Sequence, residues 1–358
     1  MVKGYGFSEQ GIILKLDDQE IQRYLDETKI DDLASWDDVK NDHHYLEYST
    51  YQSYFKKMSK KKVVKYIDTF YQDYDQALKK LGYTNKNIMA LMKVASLDNF
   101  KMLVDHEYTY ETIKPYLNIQ GMRFDDLPGY LSSNLEPLQA VLTVSYPMID
   151  ATKKSERTYN IVEPDNVLLL IKKGFVLPED YEPDDLVVPD IPIAPDNTHK
   201  QLRKVAAKAL EEMSQAALKE DYHLVLNSGY RSFKEQQEIY DDYFKRYDEV
   251  TASGLVALPG SSEHQLGLGV DLTSQSVVDK QRLVFVDTDE YKWVVKNAHK
   301  YGFILRYPKE RSEITGTANE PWHLRYVGKD AAKVIYDNNW TLEEYILNNG
   351  FTYNLELQ

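Results

Sequence analysis

The chain has 358 residues, a formal net charge of −14, 42% hydrophobic and 12% aromatic residues, and no cysteine. That length exceeds the ~100–200 residues of one usual domain, so two domains are expected, and the composition is that of a globular chain rather than a disordered one. The acidic balance argues against a nucleic-acid surface, and without cysteine any transition-metal site must be built from histidine and carboxylate.

No apolar run approaches the ~18–20 residues that a membrane-spanning helix needs, the longest clean one being 167–171, and MVKGYGFSEQ lacks the apolar stretch of a secretory leader. The expectation is no transmembrane segment, and either a cytoplasmic protein or a chain that begins after a removed or truncated leader. Residues 1–150 read as a helical N-terminal region. KKMSKKKVVK (56–65) is the best basic run, expected as the solvated start of a helix. Val63, Ile67, Phe70, Tyr74, Leu78 and Leu81 recur at three- and four-residue steps and predict one helix, capped at its C-terminus by Gly82. GYTNKNIMALM (82–92) and EYTYETIKPYL (107–117) share Tyr-Thr, an isoleucine four residues past the threonine and an apolar residue eight past it. They suggest repeated helical hairpins, although two capped helices can resemble each other by chance. LDDQEIQRYL (16–25) and FDDLPGYL (124–131) are weaker copies.

From 151 to 358 the texture is that of a second domain. VEPDNVLLLIKKGFVLPEDYEPDDLVVPDIPIAPDNTHK sets a strand-like run inside a Pro- and Asp-rich segment, expected to cross the domain surface as extended chain. An amphipathic helix is predicted over 199–219, a strand in YHLVLNSGYR, and a helix to 246 opened by the capping box of Ser232 and Glu235. A further helix starts near 289 and stops at Gly302. FILRYP and WHLRYVG read as strands flanking KERSEITGTANEP, and Thr341 with Glu344 opens a last helix closed by Gly350. Strands and helices without strict alternation predict an α+β domain.

PGSSEHQLGLGVDLTS (259–274) holds the chemistry. Its glycines and proline rule out two turns of one helix between His264 and Asp271; His264 is expected on a loop and Asp271 on the strand GVDLTS. A carboxylate inside an apolar strand requires a partner, and zinc is one that accepts both imidazole nitrogen and carboxylate oxygen. A catalytic zinc takes three protein ligands, and the strongest candidate for the third is His323 in ANEPWHLRYVG. Glu320, three residues ahead of it, is placed to take a proton from water and pass it to a leaving amine, provided that a turn at Pro321 brings both side chains to one side.

These residues carry a family likeness. SGYRSFKEQQ (228–237), GSSEHQLGLGVDLT (260–273) and GFILRYPKERSEITGTANEPWHLRYVG (302–328) resemble the zinc D-alanyl-D-alanine carboxypeptidases of the VanY type, peptidase family M15 subfamily B, and the related L,D-carboxypeptidases of peptidoglycan. LLLIKKGFVLPEDYEPDDLV resembles the segment leading into that domain, so that the likeness covers 160–335 with its motifs in order. It implies a hedgehog/DD-peptidase-like fold, an antiparallel sheet with flanking helices. It further implies one zinc ion held by His264, Asp271 and His323, with Glu320 as catalytic base and Arg231 stabilising the oxyanion. Gln236 and Ser262 are implied to contact the substrate's C-terminal carboxylate. The family pattern S-x-H-x-x-G-x-A-x-D has alanine where this chain has Gly269, a departure expected to do little harm.

The implied reaction removes the C-terminal D-amino acid from peptidoglycan stem peptides or their precursors, in the cell envelope. The alternatives are L,D-cleavage of tetrapeptide stems and, in another class, a non-catalytic zinc-containing module that binds wall peptides, against which Glu320 argues. The other histidines are expected to be structural: His43 and His44 as solvated surface, His299 at a helix C-terminus, and His106, His199 and His223 without partners in sequence. The 29 tyrosines are expected mostly in core packing.

Overall fold

The computed structural model describes residues 4–26, 29–30, 33–37, 39, 44–153, 155–248, 256–351 and 355–357; His43 lies outside them. The chain divides into two compact units, Met1–Asn118 and Ile119–Gln358. Among the described residues no helix is long and apolar enough to cross a membrane.

The first unit is helical. Val63, Ile67, Phe70 and Leu78 are buried as their spacing requires, but the expected single helix is two, Lys60–Asp73 and Asp75–Lys80. Tyr74, at φ −124° and ψ −30°, interrupts it, although its N–H still donates to Phe70 O and its carbonyl accepts from Leu78 N–H. Gly82, at φ +87°, stands where the cap was expected, with Tyr83 N–H donating to Leu78 O. The two repeat copies form Asn85–Leu91 and Tyr110–Leu117, each opened by a threonine, Thr84 or Thr109, that caps the helix with its hydroxyl. Ile88 and Ile113 are both buried, and the copies meet where Tyr83 Oη donates to Tyr108 O at 2.9 Å.

The second unit is an α+β domain. The helices Leu127–Ser132 and Pro137–Ser145 belong to it, followed by the short strands β1 (Tyr159–Ile161), β2 (Phe175–Val176), β3 (Leu186–Val187) and β4 (Leu202–Arg203). Its centre is an antiparallel sheet of β5 (Leu224–Ser228), β6 (Gly269–Ser274), β7 (Phe303–Leu305) and β8 (His323–Tyr326), in the order β5-β6-β8-β7. Leu226, Val270, Leu272, Phe303 and Leu324 of the sheet are buried, as are Leu210 and Met213 of the helix Lys204–Lys219 and Val294 of the helix Asp289–Asn297. Helices Phe233–Arg246 and Leu342–Asn349 follow the predicted capping boxes. The helix Lys329–Asn338 had no place in the sequence reading.

The run 167–171 is not a strand: Leu169, Leu170 and Ile171 are fully buried in irregular chain, and the carbonyls of Val167 and Leu169 accept from Arg325 Nη2 at 3.0 and 2.7 Å. A guanidinium thus does for those carbonyls what a neighbouring strand would otherwise do. The helix predicted from 199 begins at Lys204, because β4 pairs with β3 just before it.

Candidate metal centre

Strand register brings the acid and one imidazole together. β6 and β8 pair antiparallel with Asp271 directly opposite His323, so both side chains leave the same face of the sheet. His323 Nδ1 lies 2.9 Å from Asp271 Oδ1. Pro321 and the bond from His323 N–H to Glu320 O at 3.1 Å make the turn that leads into β8.

His264 arrives from the loop before β6. Gly267 N–H donates to His264 O at 3.0 Å, and Gly267 adopts φ +64° at a point where a Cβ would stand 3.0 Å from Arg203 Cγ. The close left-handed turn therefore requires glycine. His264 Nδ1 is 2.7 Å from Gly229 O. A carbonyl only accepts, so Nδ1 carries the hydrogen and Nε2 offers its lone pair, 3.5 Å from Asp271 Oδ2.

Donor atoms of His264, Asp271 and His323 all lie within 4.8 Å of one another. Donors held ~2.0–2.1 Å from a tetrahedral zinc stand about 3.3 Å apart, and two imidazoles with one carboxylate are a catalytic zinc donor set. The residues fit the ion. Asp271 is held well below the usual carboxylate range: burial opposes this, but His264 and His323 outweigh it. Burial and the Arg231 charge bring His264 down to about 4, which keeps its ring neutral and able to ligate. Burial also acts to lower His323, but its bonds to Asp271 and Glu263 prevail and raise it to about 9.

The centre opens on a cleft of about 550 Å³ whose walls include Asn197, His199, Asn227, Arg231, Asp271 and Thr273. Arg231 N–H donates to His264 O at 3.3 Å, and its Nε has no acceptor among the described residues. Burial lowers its pKa, against the attraction of Asp271 and Glu320. Glu320 is raised by burial, against the attraction of His323 and with the help of the Asp271 charge.

Gln236 is 1% exposed and spends its Nε2 on Ala257 O at 2.8 Å, tethering the helix Phe233–Arg246 to the loop before His264. Ser262 is buried two residues before His264. His199, on the cleft wall, is not without a partner as its sequence context suggested, since its Nε2 lies 3.6 Å from Glu235 Oε1. His44 stacks on Tyr71, His106 on Tyr108 and His299 on Tyr336.

Behind His323 lies a group that the sequence reading missed. Glu263 accepts from His323 Nε2 at 3.2 Å, Arg306 Nε at 2.7 Å and Arg325 Nη1 at 2.9 Å. Arg306 also makes two bonds to Glu343, and Glu343 meets Lys172 Nζ at 3.3 Å. The side chains of Glu263, Glu343, Arg306 and Arg325 are all fully buried. Burial opposes ionisation of Glu343, but Arg306 and Lys172 hold its pKa down.

Residues 199–329 match the family model described as VanY, D-alanyl-D-alanine carboxypeptidase. The chain is 48% identical over 195 residues to the putative carboxypeptidase YodJ of Bacillus subtilis (strain 168), covering 54% of this chain and 71% of that protein. It is 39% identical over 184 residues to VanXYC of Enterococcus gallinarum, a bifunctional D-Ala-D-Ala dipeptidase and D-Ala-D-Ala carboxypeptidase, covering 50% of this chain and 93% of that one. Among solved structures, the LdcB LD-carboxypeptidase, whose structure addresses peptidoglycan recognition, superposes with a TM-score of 0.50 at 47% identity. The match covers 54% of this chain and 92% of that one.

Proposed function

The chain belongs to the VanY family of D-alanyl-D-alanine carboxypeptidases, and on that footing we propose that its second unit is a zinc enzyme that releases the C-terminal D-amino acid from peptidoglycan stem peptides or their precursors. The observation that carries the reading is the meeting of donor atoms of His264, Asp271 and His323, the aspartate lining a cleft that also holds Arg231. A zinc ion held there supplies Lewis acidity to the scissile carbonyl and to a water molecule. Glu320 takes the proton of the attacking water and returns it to the leaving amine. Arg231, with its fixed charge and a free Nε, donates to the oxygen that becomes negative as the carbonyl carbon turns tetrahedral. Ser262 and Gln236 contact the substrate carboxylate, Gln236 exchanging its bond to Ala257 for that anion. The proposed substrate supports a location in the cell envelope.

Incubation of the zinc-loaded protein with pentapeptide and tetrapeptide stems, read by mass spectrometry, tests the activity. Loss of the terminal D-alanine from the pentapeptide is expected, and no cleavage of either stem would sink it. Glu320→Ala should keep zinc bound while abolishing hydrolysis; turnover retained in that variant would remove Glu320 from the mechanism. A second reading, L,D-cleavage of the tetrapeptide, is favoured by the likeness to LdcB, and the same assay separates the two. A non-catalytic wall-peptide module has no need of a carboxyl poised to shuttle protons.

A further inference from the structure

Two glutamates and two arginines are fully buried behind β8, an arrangement that costs more desolvation than an apolar cluster of the same volume. Its geometry converges on one imidazole. Arg306 Nε and Arg325 Nη1 both donate to Glu263 Oε1, leaving Oε2 to face His323 Nε2. Two guanidinium groups on one oxygen hold this side chain as a carboxylate, which can only accept. His323 Nε2 must then keep its hydrogen, so that Nδ1, the atom that faces Asp271, is the ring nitrogen that gives up its proton when a metal is taken. The contact is close because residue 269 is glycine: a Cβ there would lie 3.0 Å from the Glu263 carbonyl carbon and 3.1 Å from His323 Cε1.

We propose that Glu263 is a positioning residue that fixes the tautomer and tilt of His323, so that this histidine ligates the metal through Nδ1 while His264 ligates through Nε2. Arg306 and Arg325 hold the carboxylate. The assignment rests on the zinc reading given above. It adds the group that orients one ligand, a role outer-sphere carboxylates serve for metal-bound histidines.

Glu263→Gln is the informative variant, because it reverses one hydrogen bond without changing shape. The amide oxygen stays with the two guanidiniums and the NH2 group turns to His323 Nε2. That nitrogen must now accept, which moves the ring hydrogen to Nδ1 and blocks ligation. Zinc affinity of the full chain, measured by competition with a chromophoric chelator, should fall about ten- to a hundredfold. Glu343→Gln disturbs the same buried charges without touching His323 and should bind zinc within about twofold of native, a change worth under ~0.5 kcal/mol. Native affinity in Glu263→Gln, or an equal loss in Glu343→Gln, would overturn the proposal. Should Glu263→Gln fail to fold, 15N-histidine NMR of the zinc-loaded native protein decides. One ring ligated through Nδ1 with a hydrogen-bonded Nε2–H is expected, and ligation of both rings through Nε2 would overturn the assignment. Since these readouts are affinity and ring-nitrogen ligation, failure of the native protein to cut stem peptides would fall on the proposed activity alone.

Discussion

Replacing Glu343 by alanine should destabilise the second unit severely. The side chain is fully buried, makes two bonds to Arg306 at 2.8 and 3.0 Å, and pairs with Lys172. Hydrogen bonds to charged groups contribute about 1.5–3 kcal/mol each, so the two to Arg306 suggest about 3–6 kcal/mol. Breaking one side of a buried ion pair gives a similar figure, about 3–5 kcal/mol. Arg306 keeps Glu263, which places the expectation toward the lower end, near 3 kcal/mol. For a unit the size of Ile119–Gln358, at roughly 2–4 °C per kcal/mol, that is a Tm lower by about 6–12 °C. Urea unfolding and thermal melts, both with chelator present so that zinc binding does not enter, measure it at pH 7. The sign with pH follows from the depressed pKa of Glu343. Its stabilisation is present above the unfolded value of about 4.3 and is lost as pH falls through the folded value, so native and variant should converge in acid. A loss under about 1 kcal/mol at pH 7, the worth of an exposed ion pair, would refute the buried-pair account.

Arg231→Lys should keep the charge but lose the planar fork and with it the free Nε, lowering kcat on stem peptides by about 10²–10³ with little change in KM. A kcat within a factor of a few of native would remove Arg231 from oxyanion stabilisation. Chelator treatment should abolish activity, and added zinc should restore it and raise stability, by ~2.7 kcal/mol when free zinc is a hundredfold above its Kd. A Tm indifferent to zinc would count against the centre formed by His264, Asp271 and His323.

The elements were legible wherever local chemistry sets them. Ser232 with Glu235 and Thr341 with Glu344 opened helices where their side chains can reach the first-turn N–H groups; Gly82 follows its helix at positive φ, and Gly302 does so after the 3-10 turn Ala298–Tyr301 that continues the helix Asp289–Asn297. Long-range packing hid the rest. Tyr74 sits on the apolar stripe of 63–81, so nothing in the spacing shows the break there. The buried run 167–171 has strand composition, but its hydrogen-bond partner is a side chain more than 150 residues away. In the site, an aspartate in an apolar strand was readable as needing a partner, and the family likeness supplied Arg231, Gln236 and Ser262. Glu263, Arg306 and Arg325 were not readable. A glutamate in a glycine-rich loop and arginines in or beside short strands have the sequence signature of surface residues, and only the folded chain turns them inward, Glu263 onto His323 and both arginines onto Glu263.

The pairing of Asp271 with His323 across β6 and β8 couples assembly of the sheet to metal capture. A slip of one position between these two strands would turn their side chains to the opposite face, exposing Leu272 and Leu324 while scattering the donors. A misaligned strand pair therefore forfeits its apolar interior and its ion in the same error. Zinc uptake during refolding would then count the molecules that have found the correct alignment, a report that bulk helix content could not give.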